Sequence, residues 1–246
     1  MIKKIILLAL AAASLAAFAL PATAMAVEED EALHVIPAPE GAKTVDGVGE
    51  AKLTANFATV TCKKSHGTST FTSSTTGTFE QTFEECSDVF GTCTTAGEPA
   101  GDIVTTPLTF HLVTVEDAIT HTSGPGVLIT PNATTGVFAH FECPVTGKVT
   151  VEGTGLIGTI TKIKHNGGGG TRPPCEETQF TEGNEATVEF SSSSQGVQTH
   201  KKVYEKNGTE TGTTPIEYFL KSNGGAASED AEGTITLGTT AKLECT

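Results

Sequence analysis

The chain has 246 residues, 18% charged and 37% hydrophobic, with 27 glycines, 2 tyrosines, no tryptophan and a formal net charge of −14. That profile is too polar for a helical membrane protein and too weakly charged for a disordered one. The acidity, which deepens once Lys3 and Lys4 leave with a cleaved leader, sets the protein against nucleic acid and anionic membrane as partners.

Residues 1–26 read as a signal peptide. Met1 to Lys4 carries two lysines, Ile5 to Leu20 is apolar apart from Ser14, and Pro21 precedes the small-x-small site Ala24-Met25-Ala26. The apolar run is shorter than the roughly 20 residues needed to cross a bilayer, so cleavage and no stable membrane insertion are expected. No cysteine follows the run to take a bacterial lipid anchor. The expected location is secreted and extracellular, with the cell surface as a variant of it.

Residues 27–50 open with Glu28, Glu29, Asp30 and Glu31 and carry Pro37 and Pro39, the composition of an acidic, flexible or edge-lying leader. From residue 51 to residue 246 the pattern becomes that of one β-rich domain. Threonine supplies 43 residues, and its branched Cβ suits extended backbone better than helix. Short runs of near two-residue period predict strands over Lys52–Cys62, Thr68–Thr72, Thr76–Glu84, Ile103–Val115, Val127–Thr130 and Val137–Cys143. In these runs Phe79 with Phe83, and Leu108 with Phe110 and Leu112, share a face and are expected in the core. Val149–Ile163 continues the pattern, but Gly153, Gly155 and Gly158 predict bulges or the close approach of a neighbouring backbone.

The stretch 166–174, NGGGGTRPP, interrupts the pattern as a glycine-rich loop; two prolines follow the glycines where a phosphate loop would need a helix. Strand signals resume over Ala186–Phe190, Gly196–Glu205, Pro215–Leu220, Gly233–Leu237 and Ala241–Cys245. Strands in this number without a convincing helix predict an all-β fold, an antiparallel β-sandwich or irregular barrel stabilised by disulfides.

Six cysteines lie beyond the leader, in a compartment where disulfides persist. They allow fifteen pairings. The C-x6-C spacing of Cys86 and Cys93 suits a local clasp, Cys62 and Cys143 both end strand-like runs and could join two layers, and Cys175 and Cys245 then remain. The absence of any C-x-x-C disfavours a thiolate metal site.

The cysteine-bearing and glycine-bearing segments are TVTC at Thr59–Cys62, TGTFEQTFEEC at Thr76–Cys86, GTCTTAGEPAGDIVTTPL at Gly91–Leu108, FAHFEC at Phe138–Cys143 and VTVEGTGLIG at Val149–Gly158. Together they resemble a family of secreted, cysteine-containing β-proteins found mostly in actinobacteria. The resemblance implies export, a β-fold and a structural use for Cys62, Cys86, Cys93 and Cys143. It brings no activity, ligand or catalytic residue with it. Cys175, Cys245 and the glycine-rich loop depart from the family's pattern.

Tests for chemistry return little. No G-x-S-x-G nucleophile turn is present, and Ser65-His66 would point to opposite faces of a strand. His140 and Glu142 share a strand face and could begin a zinc site with His111, although a solvated polar face is the simpler reading. The acidic pairs Glu84-Glu85, Glu116-Asp117, Glu176-Glu177 and Glu229-Asp230 are expected at turns, with at least one member of each facing water. No calcium-loop motif accompanies them. Asn132-Ala133-Thr134 and Asn207-Gly208-Thr209 match a glycan acceptor pattern and read as turns.

The expectation is therefore a non-enzymatic extracellular β-domain without cofactor, metal or catalytic residues, serving as a structural or binding component with a cell-envelope or extracellular polymer as partner. An exported hydrolase and a small-ligand binder are the alternatives. A hydrolase requires a buried carboxylate or histidine cluster in a cleft, a binder an apolar pocket, and a scaffold neither.

Overall fold

The computed structural model describes residues 33–36, 40–55, 58–117, 123–131, 135–164, 178–179, 185–191, 197–205, 209–210, 216–237 and 242–245. The predicted leader 1–26, the glycine-rich loop 166–174 and Cys175 lie outside them. In chain order the strands are β1 (Leu33–Ile36), β2 (Ala42–Gly47), β3 (Ala51–Ala55), β4 (Thr59–Cys62), β5 (Lys64–Phe71), β6 (Thr76–Glu84), β7 (Ser87–Asp88), β8 (Gly91–Thr92), β9 (Ile103–Val104) and β10 (Leu108–Asp117). They continue with β11 (Ser123–Thr130), β12 (Val137–Cys143), β13 (Gly147–Gly153), β14 (Leu156–Lys164), β15 (Thr178–Gln179), β16 (Glu185–Ser191), β17 (Val197–Glu205), β18 (Thr209–Glu210), β19 (Ile216–Ser222), β20 (Gly225–Thr236) and β21 (Lys242–Cys245). Every regular element among the described residues is a strand, and the chain is all-β.

Eight of these strands close a barrel in the order β10-β11-β14-β16-β20-β2-β5-β6 and back to β10, every pairing antiparallel. Closure removes the free edges that an open sheet of this size would expose. Alternation then sorts the residues. Thr44, Asp46, His66, Thr68, Thr78 and Glu80 are exposed on the outer wall, while Phe110, Ile129 and Leu156 are buried inside. Apolar-in and polar-out is the reverse of the pattern of a barrel that faces lipid.

β20 is long enough to serve two neighbourhoods. Its second half pairs with β16 and β2 in the barrel, and its first half pairs with β3 and β19. The β3–β4 and β12–β13 hairpins pack against one end of the barrel through Leu53, Val60, Phe138, Phe141 and Val151, closing it. On the outside, β17 and β19 bridge β10 to β20, and a second small core of Val113, Val115, Leu128 and Ile157 lies on the outer face of β10, β11 and β14 with Tyr218 against it. Buried Gln198 of β17 fastens this layer: the Ile157 N–H donates to its Oε1 at 2.7 Å and its Nε2 donates to the Ile157 carbonyl at 2.8 Å. A separate three-stranded sheet pairs β21 with β1 and β15.

The predicted strands Thr76–Glu84 and Val137–Cys143 fold as expected. Lys52–Cys62 instead folds as the β3–β4 hairpin, while Val149–Ile163 breaks at 154–155 into β13 and β14, which pair with different neighbours, β13 with β12 and β19 and β14 with β11 and β16. Gly153 is there for a close approach, since a Cβ would land on the Phe219 carbonyl of the neighbouring strand. The acidic leader is corrected in its second half: β2 lies within 27–50, yet it sits between β5 and β20 and completes the barrel, and β1 pairs with β21. Polar side chains on the outer face of β2 hid a strand that buries only one face.

The disulfides also differ from expectation. Cys86 does not pair with Cys93, nor Cys62 with Cys143; Cys62 is joined to Cys86 and Cys93 to Cys143. Register explains this. Thr61 stands opposite Ser87 and Thr94 opposite Glu142, so Cys62 faces Cys86 and Cys93 faces Cys143 directly across antiparallel ladders. Their Cα atoms are 4.0 and 4.2 Å apart, the close spacing of pairs that exchange no backbone hydrogen bond. Cys86 and Cys93 are themselves neighbours, but as a hydrogen-bonded pair, the Cys93 N–H donating to the Cys86 carbonyl at 3.0 Å, a pairing that holds the backbones wider. The Cys175–Cys245 pairing lies outside the described residues through Cys175; the backbone of Cys245 stands opposite Leu33.

Candidate functional site: an apolar chamber in the barrel

The barrel is not filled. Two cavities of about 110 and 90 Å³ occupy its interior and share Val45, Phe79, Ile129, Phe190 and Gly233 as common wall. The cause is an asymmetry of side-chain size. Inward positions on β5 are Ser65, Gly67 and Ser69 before Phe71, and those on the barrel half of β20 are Ala231 and Gly233 before Ile235, whereas the other strands present Phe79, Phe83, Phe110, Leu112, Ile129 and Phe190. Packed interiors leave few voids larger than a water, so a wall of small residues against large ones is what keeps this space open. Phe71 and Phe110 meet edge-to-face at 4.9 Å and brace the second chamber.

The first chamber, nearer the disulfides, is bounded by Leu53, Val60, Phe138, Phe141 and Val151 and carries a small set of polar groups. Gln81 is buried at 5% exposure, and its Oε1 has no hydrogen-bond partner. Its backbone is held from both sides, the Gln81 N–H donating to Thr105 Oγ1 at 3.0 Å and the Thr105 N–H donating to the Gln81 carbonyl at 2.9 Å. The side chain lies across Gly67, where any Cβ would collide with it. Glu229 of β20 also lines this chamber, half-buried, and burial lifts its carboxyl from 4.5 to about 7. Lys52 and Glu232 border the chamber too, but alternation turns their side chains to the other face of their strands, and Lys52 is exposed with Glu50 at 3.7 Å. In the second chamber Ser69, at 3% exposure, presents an Oγ that likewise has no partner.

The residues singled out in the sequence fall elsewhere. His140 and Glu142 are exposed together on β12, with His140 Nδ1 3.1 Å from Thr150 Oγ1, while His111 sits on β10, which β12 does not pair with. Ser65 and His66 do part to opposite faces: Ser65 lines the first chamber, and His66 points outward, Nδ1 3.4 Å from Glu84. Glu85 stays at the surface beyond β6, its carboxyl held below the usual range by hydrogen bonds from Lys64 and Lys63; the same pairing raises Lys64. Among the described residues one group, Asp88 with Cys93 and Cys143, has metal-like spacing, and its two sulfurs are consumed in a disulfide. Glu229-Asp230 is the informative departure. It was expected at a turn, yet it lies inside β20, so alternation sends Asp230 to water and Glu229 into the barrel.

Comparison with protein-family models, with curated proteins and with solved structures finds no match to this chain.

Proposed function

We propose that the protein is an exported, non-enzymatic binding protein that holds a small apolar molecule inside its barrel. The observation that carries this reading is the pair of apolar chambers with a few buried polar groups facing into them, the usual make-up of a small-molecule site. Eight-stranded barrels are the size at which the interior either fills with side chains or accommodates one small ligand. A purely structural domain gains nothing from voids, since each forfeits dispersion contacts along its lining. Export is supported by the lysine-apolar-cleavage pattern at residues 1–26 and by the two disulfides, which belong to an oxidising compartment. No helix among the described residues is long and apolar enough to cross a membrane.

The volumes set the scale of the ligand. An apolar cavity of about 150 Å³ stays dry and accepts benzene or xenon, so these chambers suit fragments of about that size or smaller, or one slightly larger molecule across both. At about 0.8 kcal/mol per buried methylene, a four-carbon body gains about 3 kcal/mol, which places simple fragments in the millimolar range and leaves tighter binding to the polar groups. The test is xenon and benzene titration of the purified protein, followed by methyl NMR, against the variant Ala231→Leu, which fills the first chamber. Binding is expected in the parent with shifts at Val45 and Ile129, and its loss in the first chamber of the variant. A parent that takes up neither probe refutes the reading.

A further inference from the structure

Resting on the reading just given, we propose that the molecule held in the barrel is a neutral alcohol, its hydroxyl donating to Gln81 Oε1 in the first chamber and its hydrocarbon body filling the apolar space beyond. The first observation is the acceptor itself. Gln81 is 5% exposed and lines the chamber, and its Oε1 meets no hydrogen-bond donor of the chain. The second is that the fold is built to keep this oxygen inside. Gly67 stands opposite Gln81 on β5, and Oε1 occupies the inward space that a Cβ at residue 67 would take, so the glycine makes room for the carboxamide within the barrel. Thr105 pins both backbone polar groups of Gln81, which fixes the strand that carries the side chain. A buried acceptor left without a donor carries its desolvation cost uncompensated, and a ligand that brings the donor removes that cost.

The surroundings choose among ligands that could meet this oxygen. Phe79, Phe83, Leu108 and Phe138 make the wall of the chamber apolar, so an ammonium entering it gives up its hydration for one neutral dipole, which does not compensate a buried charge. A ketone of the same size fills the same space but brings a second acceptor to an acceptor. A hydroxyl supplies the missing donor and carries no charge. Glu229 lines the same chamber but is engaged within the chain, and it takes no part in this assignment. The hydrocarbon body then lies against Phe79 and Phe190, the residues shared with the second chamber. Ser69 is two residues beyond Gly67 on β5, about 7 Å along the strand, and its hydroxyl belongs to the second chamber, so the two polar marks are separable by substitution.

The experiment compares butan-1-ol, butan-2-one and butylamine by NMR titration of the purified protein in about 0.15 M salt, which screens the surface field that draws the cation. The expected result is butan-1-ol bound about tenfold tighter than either of the others, with methyl shifts at Val45, Ile129 and Val151 and a shift of the Gln81 side-chain amide resonances. Gln81→Met keeps the length of the side chain and deletes the acceptor; it should bring butan-1-ol down to the level of butan-2-one while xenon still binds. Ser69→Ala should leave the preference for the alcohol unchanged. The Gln81 amide shift in the parent reports the contact even where the methionine variant does not fold. Equal affinities for alcohol and ketone, or a preference that survives Gln81→Met, overturn the role of Gln81, and loss of the preference in Ser69→Ala moves the hydroxyl to the other chamber and overturns the assignment. Tightest binding of butylamine overturns the neutral class. In each of these cases uptake of xenon and benzene leaves the apolar site standing, whereas failure of every probe, xenon and benzene included, removes both this inference and the function on which it rests.

Discussion

Glu229 makes the sharpest demand on the fold, because an acid in an apolar barrel must leave a trace in the dependence of stability on pH. Its carboxyl titrates at about 7 in the folded protein and near 4.5 when solvated. Between those values the folded chain binds more protons than the unfolded one, so stability falls as pH rises through this window and is constant with respect to this group below and above it. The slope from this one group reaches at most about 1.4 kcal/mol per pH unit, and the whole window amounts to about 3 kcal/mol, an upper bound for a side chain that is half-buried. Glu229→Gln keeps the shape and hydrogen-bonding capacity of the side chain and abolishes its titration. The variant should match the parent in guanidinium unfolding at pH 4 and exceed it by about 1–3 kcal/mol at pH 8, other groups cancelling in the difference. Parallel pH profiles for the two proteins, or a variant less stable at pH 8, would refute the placement of this carboxyl in the barrel.

The remaining predictions concern the framework and the cavity wall. The disulfides close separate loops, with sequence separations of 24 and 50, so their chain-entropy contributions of about 3.5 and about 4 kcal/mol should add. Replacing Cys62 and Cys86 by serine, or Cys93 and Cys143, should lower the unfolding free energy by those amounts, and peptide mapping without reduction should return the same two linkages. A Cys86–Cys93 peptide would contradict the register of β4 with β7. Ser69→Ala should stabilise the protein by about 1 kcal/mol in the absence of ligand, because it deletes a buried hydroxyl that has no partner. A loss of stability in urea unfolding would mean that the Ser69 hydroxyl is satisfied after all.

What could be read along the chain was whatever depends on residues next to one another. The β class follows from threonine content and two-residue alternation, and Thr76–Glu84 and Val137–Cys143 were legible because each has one continuous apolar face. The hairpin inside Lys52–Cys62 and the break inside Val149–Ile163 were less legible: the glycines of the second marked a departure from a straight strand without saying that its two halves, β13 and β14, would pair with different neighbours. β2 and the first half of β20 escaped because AKTVDG and GAASED carry small or polar residues on both faces, and a strand whose inward residues are small gives no hydrophobic period.

Tertiary structure alone decided the rest, since each remaining feature depends on residues far apart in the chain. Which cysteines meet is a matter of strand register, and register is set by pairings such as Thr61 with Ser87 and Thr94 with Glu142. The cavity exists because the small inward residues of β5 and β20, more than 150 positions apart in sequence, are adjacent to β2 on either side and face the phenylalanines of other strands. Glu229 shows the same limit in one residue. The sequence by itself determined that Glu229 and Asp230 would face opposite ways if they lay on a strand; only closure of the barrel decided which of the two acids would be withdrawn from water.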